Sequence, residues 1–399
     1  MAEPITSLIS GFKGLNNRLD PTALGPEWQL QANNVLCDDA HYLVLRPGSF
    51  EFFLNVVDAF GTRDERMFVV TSSGTLYEVY SDASYRQRAT GFSGAPFQWA
   101  EMGYATFAMS ETAAWAIYPD RVVGWGIPAL NAPTLSITNG TLPAGSYFVA
   151  TILEAPDGRI GGCTGTASVI LPNVGGISVA YPAVAGYETR VYLSETNGVD
   201  LFHAGYLAAG TITIANLPTT KGHRLDTLHF YPPPLGGIVS SHGNRMLVAV
   251  WEPGLDRSVL YWSKEDAPHW FCIETDYQIV AGRPTLLASV SSGVLIGTDR
   301  ALYAVDSSGI AQRIAGFGAL IDTLHYLDTD QVVFWTDRGL CRYPPLELLS
   351  DAALIPDNRT LSTGAILKYT GSTYFLTAMR GAHQIRPINP YIPLSVTVT

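Results

Sequence analysis

Charge is scarce in this sequence. Only 15% of its 399 residues are Asp, Glu, Lys or Arg, against roughly 25% in a typical soluble domain, so much of the chain must lie in buried sheet or at an interface. The 24 Lys and Arg residues are scattered with no run of five, and 35 Asp and Glu leave a net charge of -11. That balance excludes a broad phosphate-binding surface, because non-specific affinity for nucleic acid comes from clustered cations. Cysteine is rarer still. Cys37, Cys163, Cys272 and Cys341 lie far apart and make no CxxC pair, which excludes zinc-ribbon and redox motifs and suits buried thiols of a chain made in a reducing cytosol.

The usual chemical signatures are missing as well. The eight histidines show no HxH or HExxH spacing, and there is no GxSxG elbow, P-loop or GxGxxG-helix unit. The adjacent carboxylates Asp38-Asp39, Asp64-Glu65 and Glu265-Asp266 point apart on a strand or turn, so they read as solvated turns and not as acid/base dyads. No enzymatic activity, metal or cofactor is therefore expected. The opening MAEPITSLIS has no basic region followed by an apolar stretch, so no secretory signal is read there. Residues 122–153 carry no charge, but Pro128, Pro133, Pro143, Gly140 and Gly145 break the stretch, and no membrane span is expected.

What the sequence does contain is alternation. Apolar residues make up 47% and the aromatics comprise 20 Tyr, 16 Phe and 8 Trp. Period-two segments dominate, with short helices expected only near Pro26-Glu27 and Leu346-Ala353. The segments "FVVTSSGTLYEV" from Phe68, "VLIGTDRALYAV" from Val294 and "VVFWTDRGLCRY" from Val332 share one plan: apolar strand, Thr, polar turn, second strand opening with Leu. Looser copies begin at Thr106, Arg245 and Thr373. Six hairpins at intervals of one four-stranded blade predict a β-propeller. Between 128 and 222 charge nearly vanishes, and seven short strands fit an immunoglobulin- or fibronectin-like β-sandwich, with two further irregular blades as the other reading. The fold class expected is thus all-β, a propeller interrupted by a sandwich. The domains run 1–50 (arm), 51–128 (first propeller part), 129–222 (insert) and 223–399 (second propeller part).

Two motifs invite a chemical reading. The repeated Thr298-Asp299-Arg300 and Thr336-Asp337-Arg338 could furnish a glycosidase, but they fall at hairpin turns, where Asp caps the turn and Arg is solvated. "APHWF" at Ala267–Phe271 could stack on a carbohydrate through His269, Trp270 and Phe271, although blade cores also consume aromatics.

The segment Gly11 to Phe50 resembles an opening found in phage tail and head-tail proteins. The matching positions are Gly14, Asn16, Asn17, Pro21, Leu24, Leu30, Ala32, Asn34, Val35, Arg46, Pro47 and Gly48, while Ala40-His41 departs from the acidic-glycine turn commoner there. Residues 144–162 with 188–207 look like the sandwich domain inserted in such proteins, and 236–280 is similar to the propeller half that follows it. The resemblance implies a virion structural protein, comparable to the nozzle or tail-tubular family of short-tailed phages or to tail-tip components of long-tailed ones. It would be made in the host cytoplasm and located in the virion. Its partners would be other tail or head-tail proteins and further copies of itself in a ring, with DNA passing without tight binding. The residues expected at assembly interfaces are Phe12, Leu15, Arg18 and Trp28 of the arm, and Leu394, Val396 and Val398 of the alternating C-terminal strand. A receptor- or carbohydrate-binding propeller is the second reading, and a propeller glycosidase the third.

Overall fold

The computed structural model describes residues 55–349, except 65, 81, 94–95, 218–220, 307–308 and 328–329. Outside that span it describes only the backbone of strands at 14–15, 28–29, 35–37, 43–45, 362–369, 372–379 and 394–397. The described residues are nearly all β, in small and mostly antiparallel sheets, and outside residues 134–214 most strands adjacent in sequence within a sheet are paired in space.

A first sheet comprises Val56–Gly61, Met67–Thr71, Thr75–Val79 and Tyr85–Thr90, and a second Gln98–Met102, Ala105–Met109, Ala114–Ile117 and Val122–Gly124. A third holds Ile238–His242, Arg245–Glu252, Arg257–Lys264 and Ala267–Phe271 in order, with a fifth strand, Tyr277–Ala281, paired to Arg257–Lys264. A fourth spans Pro284–Val290 to Ala311–Ala315 and a fifth His325–Tyr326 to Glu347–Leu348, with four strands each, as in the first and second. The last sheet has three: Ser362–Tyr369, Ser372–Met379 and Leu394–Thr397. Four of the six hairpins read from the sequence are the middle strands of four-stranded sheets, the one from Arg245 forms the middle strands of the four in order in the five-stranded sheet, and the copy from Thr373 is the middle strand of the three-stranded one.

The recurrent hydroxyl in the repeat has a local cause. At the end of the second strand it folds over the hairpin turn. Thr298 Oγ1 donates to the Ala301 carbonyl (3.2 Å) and accepts from the Ala301 N–H (3.1 Å), and Thr336 Oγ1 donates to the Gly339 carbonyl (2.8 Å) and accepts from the Arg338 N–H (3.2 Å). Ser110 does the same with Ala113. The hydroxyl satisfies turn groups that the ladder leaves open. The threonine, not the aspartate, is therefore the cap: Asp299 Oδ1 instead accepts from the Arg283 N–H (2.8 Å). Nor is Arg300 merely solvated, since it grips Asp256 with two bonds (2.6 and 2.9 Å).

The helix expected near Leu346–Ala353 is not found over its described part. Glu347–Leu348 is an edge strand on Cys341 and Arg342, because the free edge of Gly339–Tyr343 needs backbone partners more than an isolated turn of helix gains from propensity. Residues 350–353 lie outside the described residues. So do Pro26-Glu27, which are followed by a strand at Trp28–Gln29.

The chain forms two compact units, one of residues 56–250 with 260–277, the other of 1–55, 251–259 and 278–399. In the first, Phe68, Val70, Leu76, Phe92 and Phe97 of the first sheet and its following loop share a core with Ala108 and Ile117 of the second. Phe107, Met109, Ala116 and Trp125 share another with Val239, Met246, Val248 and Phe271 of the third. In the other unit, Leu286, Ala288, Val290, Leu295 and Leu302 share a core with Val332, Phe334 and Cys341. In each of these pairs one sheet buries the face that its neighbour would otherwise leave wet, at about 25 cal/mol per Å² of apolar surface.

Between the second and third sheets lie seven strands in two sheets. One is Thr134–Leu142, Gly175–Ala180 and Thr211–Ile214; the other is Ala167–Leu171, Gly145–Glu154, Glu188–Ser194 and Leu201–Tyr206. They bury a common core of Leu142, Tyr147, Val149, Leu171, Ile177, Val179, Val191, Leu193 and Ile214. The segment around Cys163 ties this region to its flanks: the Leu130 N–H donates to the Gly162 carbonyl (3.1 Å) and the His229 N–H to the Cys163 carbonyl (2.8 Å). Gly162 is required there, because a Cβ would lie 2.1 Å from the Phe230 carbonyl oxygen. Burial pushes the Cys163 thiol up to about 11, which leaves it an inert packing group.

Candidate functional site

Arg63, Asp64 and Arg66, from the densest run of charge in the sequence, lie between the first two strands of the first sheet. They line one wall of a cleft of about 410 Å³ whose other wall is Glu101, Gly103, Tyr104, Thr106 and Pro119 of the second sheet and its turns. All of these residues belong to one compact unit. Asp64 accepts from Thr62 Oγ1 (2.5 Å) and Arg66 Nε (2.7 Å), and Glu101 Oε2 accepts from the Arg63 N–H (3.1 Å). Tyr104, at the hairpin tip, is 74% exposed, and its ring lies 6.2 Å from that of Tyr118, which Arg121 covers at 4.6 Å.

Burial raises the Glu101 carboxyl above the ordinary glutamate value, with the Arg63 N–H and guanidinium opposing it. Folded Glu101 therefore keeps its proton to higher pH than the unfolded chain does. Its charge costs stability once pH rises through the raised value, and costs nothing where both states are protonated. Glu101→Gln is expected to raise the melting temperature near neutral pH, and the gap is expected to close as pH falls below the ordinary glutamate value of about 4.3. A lower melting temperature for the variant at neutral pH would contradict the assignment.

Behind the cleft wall sits an ion network. Glu78, 2% exposed, takes Arg66 Nη1 on one oxygen (2.7 Å) and Arg88 Nη1 and Tyr80 Oη on the other. Arg88 also donates to the Tyr118 carbonyl. Burial disfavours the Glu78 charge, but these bonds outweigh it and hold the carboxyl below its usual range.

Other charged groups in the first unit are similarly paired. Arg159 binds Asp157 (2.8 Å) and the Gly124 carbonyl (2.9 Å), and Arg190 binds Glu154, whose carboxyl also accepts from Tyr206 Oη. Among the described residues, no group of three or more His, Cys, Asp and Glu side chains comes together as a metal site.

The sequence-predicted residues lie elsewhere. Leu15 and Trp28 stand on two short parallel strands, Gly14 opposite Trp28 and Leu15 opposite Gln29. Leu394 and Val396 stand on the last strand, opposite Thr377 and Phe375. Phe12, Arg18 and Val398 lie outside the described residues, as do the side chains of the other four. The aromatic patch at Ala267–Phe271 is packed, not presented: Phe271 is fully buried, Trp270 Nε1 donates to the Ile160 carbonyl (2.7 Å), and burial drives His269 down to about 4. The cleft residues carry no motif, and the only signal that could have found them is a charge cluster in a charge-poor chain.

No protein-family model and no curated protein matches the chain. Among solved structures it is similar to PorZ, a surface component of the type-IX secretion system of Porphyromonas gingivalis, at 9% identity and a TM-score of 0.21 over 80% of this chain and 45% of that one. The chain thus spans less than half the length of PorZ. It is also similar to Kluyveromyces lactis Hsv2 (8% identity, TM-score 0.30, 81% and 90% covered) and to the Dos1 propeller (9%, 0.28, 81% and 89%). At such scores the superpositions are loose and assign no role. Among the described residues, no helix is long and apolar enough to cross a membrane.

Proposed function

We propose that the chain is a structural component of a phage tail, a nozzle, connector or tail-tip protein that works by assembly and by forming a channel. In this reading the four-stranded sheets are blades of a β-propeller, and residues 129–222 are an inserted immunoglobulin- or fibronectin-like sandwich. The observation that carries it is the run of sheets burying each other's faces behind an opening segment that resembles those of tail proteins. The ion pairs fit the same reading: Glu78, Asp157 and Glu154 are each held by arginines of the chain itself, so they fix the fold. The protein would be made in the host cytoplasm and reside in the virion, with other tail proteins and further copies of itself as partners.

Two measurements test this. Antibodies raised against the purified chain are expected to label one location on the phage particle, and the chain is expected to assemble into rings. A protein absent from virions and monomeric at every concentration would overturn the proposal. If the acidic excess faces a channel, phosphates are repelled and DNA slides past. The purified protein is then expected to give no gel shift with DNA even at low ionic strength, where attraction is strongest. A shift would place the acidic excess away from any DNA path.

A further inference from the structure

A cleft opens between the turns of the first two sheets. Its polar lining comes from Arg63, Asp64, Arg66, Glu101 and Thr106, with Glu101 Oε2 accepting from the Arg63 N–H. At its rim stands Tyr104, an aromatic ring left 74% exposed and braced from below by Tyr118, which Arg121 in turn covers. An open cleft of about 410 Å³ lies in the size range of small-molecule sites, about 300–1,000 Å³.

Ligand chemistry can be sorted by elimination. The lining carries Arg63 and Arg66 against Asp64 and Glu101, so it has no net charge to attract an anion, and the chain's net charge of -11 repels one. A metal ion would have to displace Arg66 from Asp64, to which it is bonded at 2.7 Å. A purely apolar ligand would strand the polar groups of the lining without partners. What matches an exposed aromatic ring in a cleft lined by carboxylate and arginine residues is a ligand with one apolar face and a rim of hydroxyls. The ring stacks against its C–H face, and the charged groups bond its hydroxyls.

We propose that this cleft binds a neutral saccharide, with Tyr104 as the stacking platform and Glu101, Asp64 and Arg63 as the groups that bond its hydroxyls. Glu101 suits a neutral partner, because its carboxyl can either donate or accept according to its protonation. The proposal does not depend on where the protein resides, so it can fail while the tail assignment stands, and the reverse.

The full chain is applied to an array of neutral and acidic bacterial surface saccharides, and the best neutral binder is titrated by calorimetry. A methyl glycoside in solution and the parent polysaccharide are compared to separate a free sugar from a surface glycan as the source. Tyr104→Ala is expected to weaken binding by about thirty-fold, the loss of an anchor residue, and Glu101→Gln to weaken it less, with both variants keeping a cooperative thermal transition. Tyr85→Ala, equally a surface tyrosine at 59% exposed but not part of the cleft lining, serves as the control and is expected to bind as the parent does. Retention of no neutral saccharide, retention of acidic ones alone, or unchanged affinity in a folded Tyr104→Ala protein would each overturn the proposal.

Discussion

Glu78→Gln is expected to destabilise the protein by about 3–5 kcal/mol, the cost of breaking a buried ion pair from one side. Both the Glu78 and Arg88 side chains are almost fully enclosed, at 3% and 4% exposed, so the amide would leave the Arg88 charge buried without its counter-charge. Arg66 loses less, since it is partly exposed and keeps Asp64. Urea titration at neutral pH checks the magnitude through a lowered midpoint at unchanged slope. The sign with pH also follows. The folded carboxyl is depressed, so its contribution is present above the ordinary glutamate value and is lost as pH falls through the depressed one. The gap between variant and parent should narrow in acid. Replacing both partners, as in Glu78→Leu with Arg88→Met, is expected to recover much of the loss, because apolar substitutes carry no buried charge. A single variant as stable as the parent would show that the network is solvated.

Trp125→Ala is expected to cost a similar amount, about 3–5 kcal/mol. The indole is fully buried where the second and third sheets share a core, 4.8 Å from the Phe107 ring and 6.3 Å from that of Phe271. Its Nε1 donates to the Pro268 carbonyl at 2.7 Å. Truncation therefore opens a cavity and removes the donor of a part-buried carbonyl together. Trp125→Phe separates the two effects: the ring is largely restored but the donor is not, and the remaining loss is about 1–3 kcal/mol. Equal stability of the phenylalanine variant and the parent would mean that water replaces the indole.

The repeat and the strands were legible because sheet burial imposes a period of two and because the same hairpin recurs. Thr298 and Thr336 stand out in the sequence for the reason they matter in the structure, since each hydroxyl closes an equivalent turn. The strand at Glu347–Leu348 was not legible, because its conformation is set by the open edge of Gly339–Tyr343 and not by its own residues. The aromatic patch at 267–271 could be read either way until burial was known, and Phe271 decided it. The cleft was invisible for a different reason. Arg63, Glu101 and Tyr104 meet only because consecutive sheets stack, and no local pattern encodes a meeting across that distance in the chain.

The two compact units also differ in how their pieces are distributed along the chain. The unit of residues 56–250 and 260–277 is nearly continuous, whereas the other gathers 1–55, 251–259 and 278–399. During synthesis the continuous unit has all its strands before the last three sheets emerge, so it can collapse while the ribosome is still at work. The strand at Gly14–Leu15 pairs first with Trp28–Gln29, but its backbone also lies beside Leu394–Thr397, and that second contact must wait. Closing so long a loop is slow relative to pairing neighbours. The contact between Gly14–Leu15 and Leu394–Thr397 thus closes the longest loop among the described strands, and it forms after the pairings between sequence neighbours.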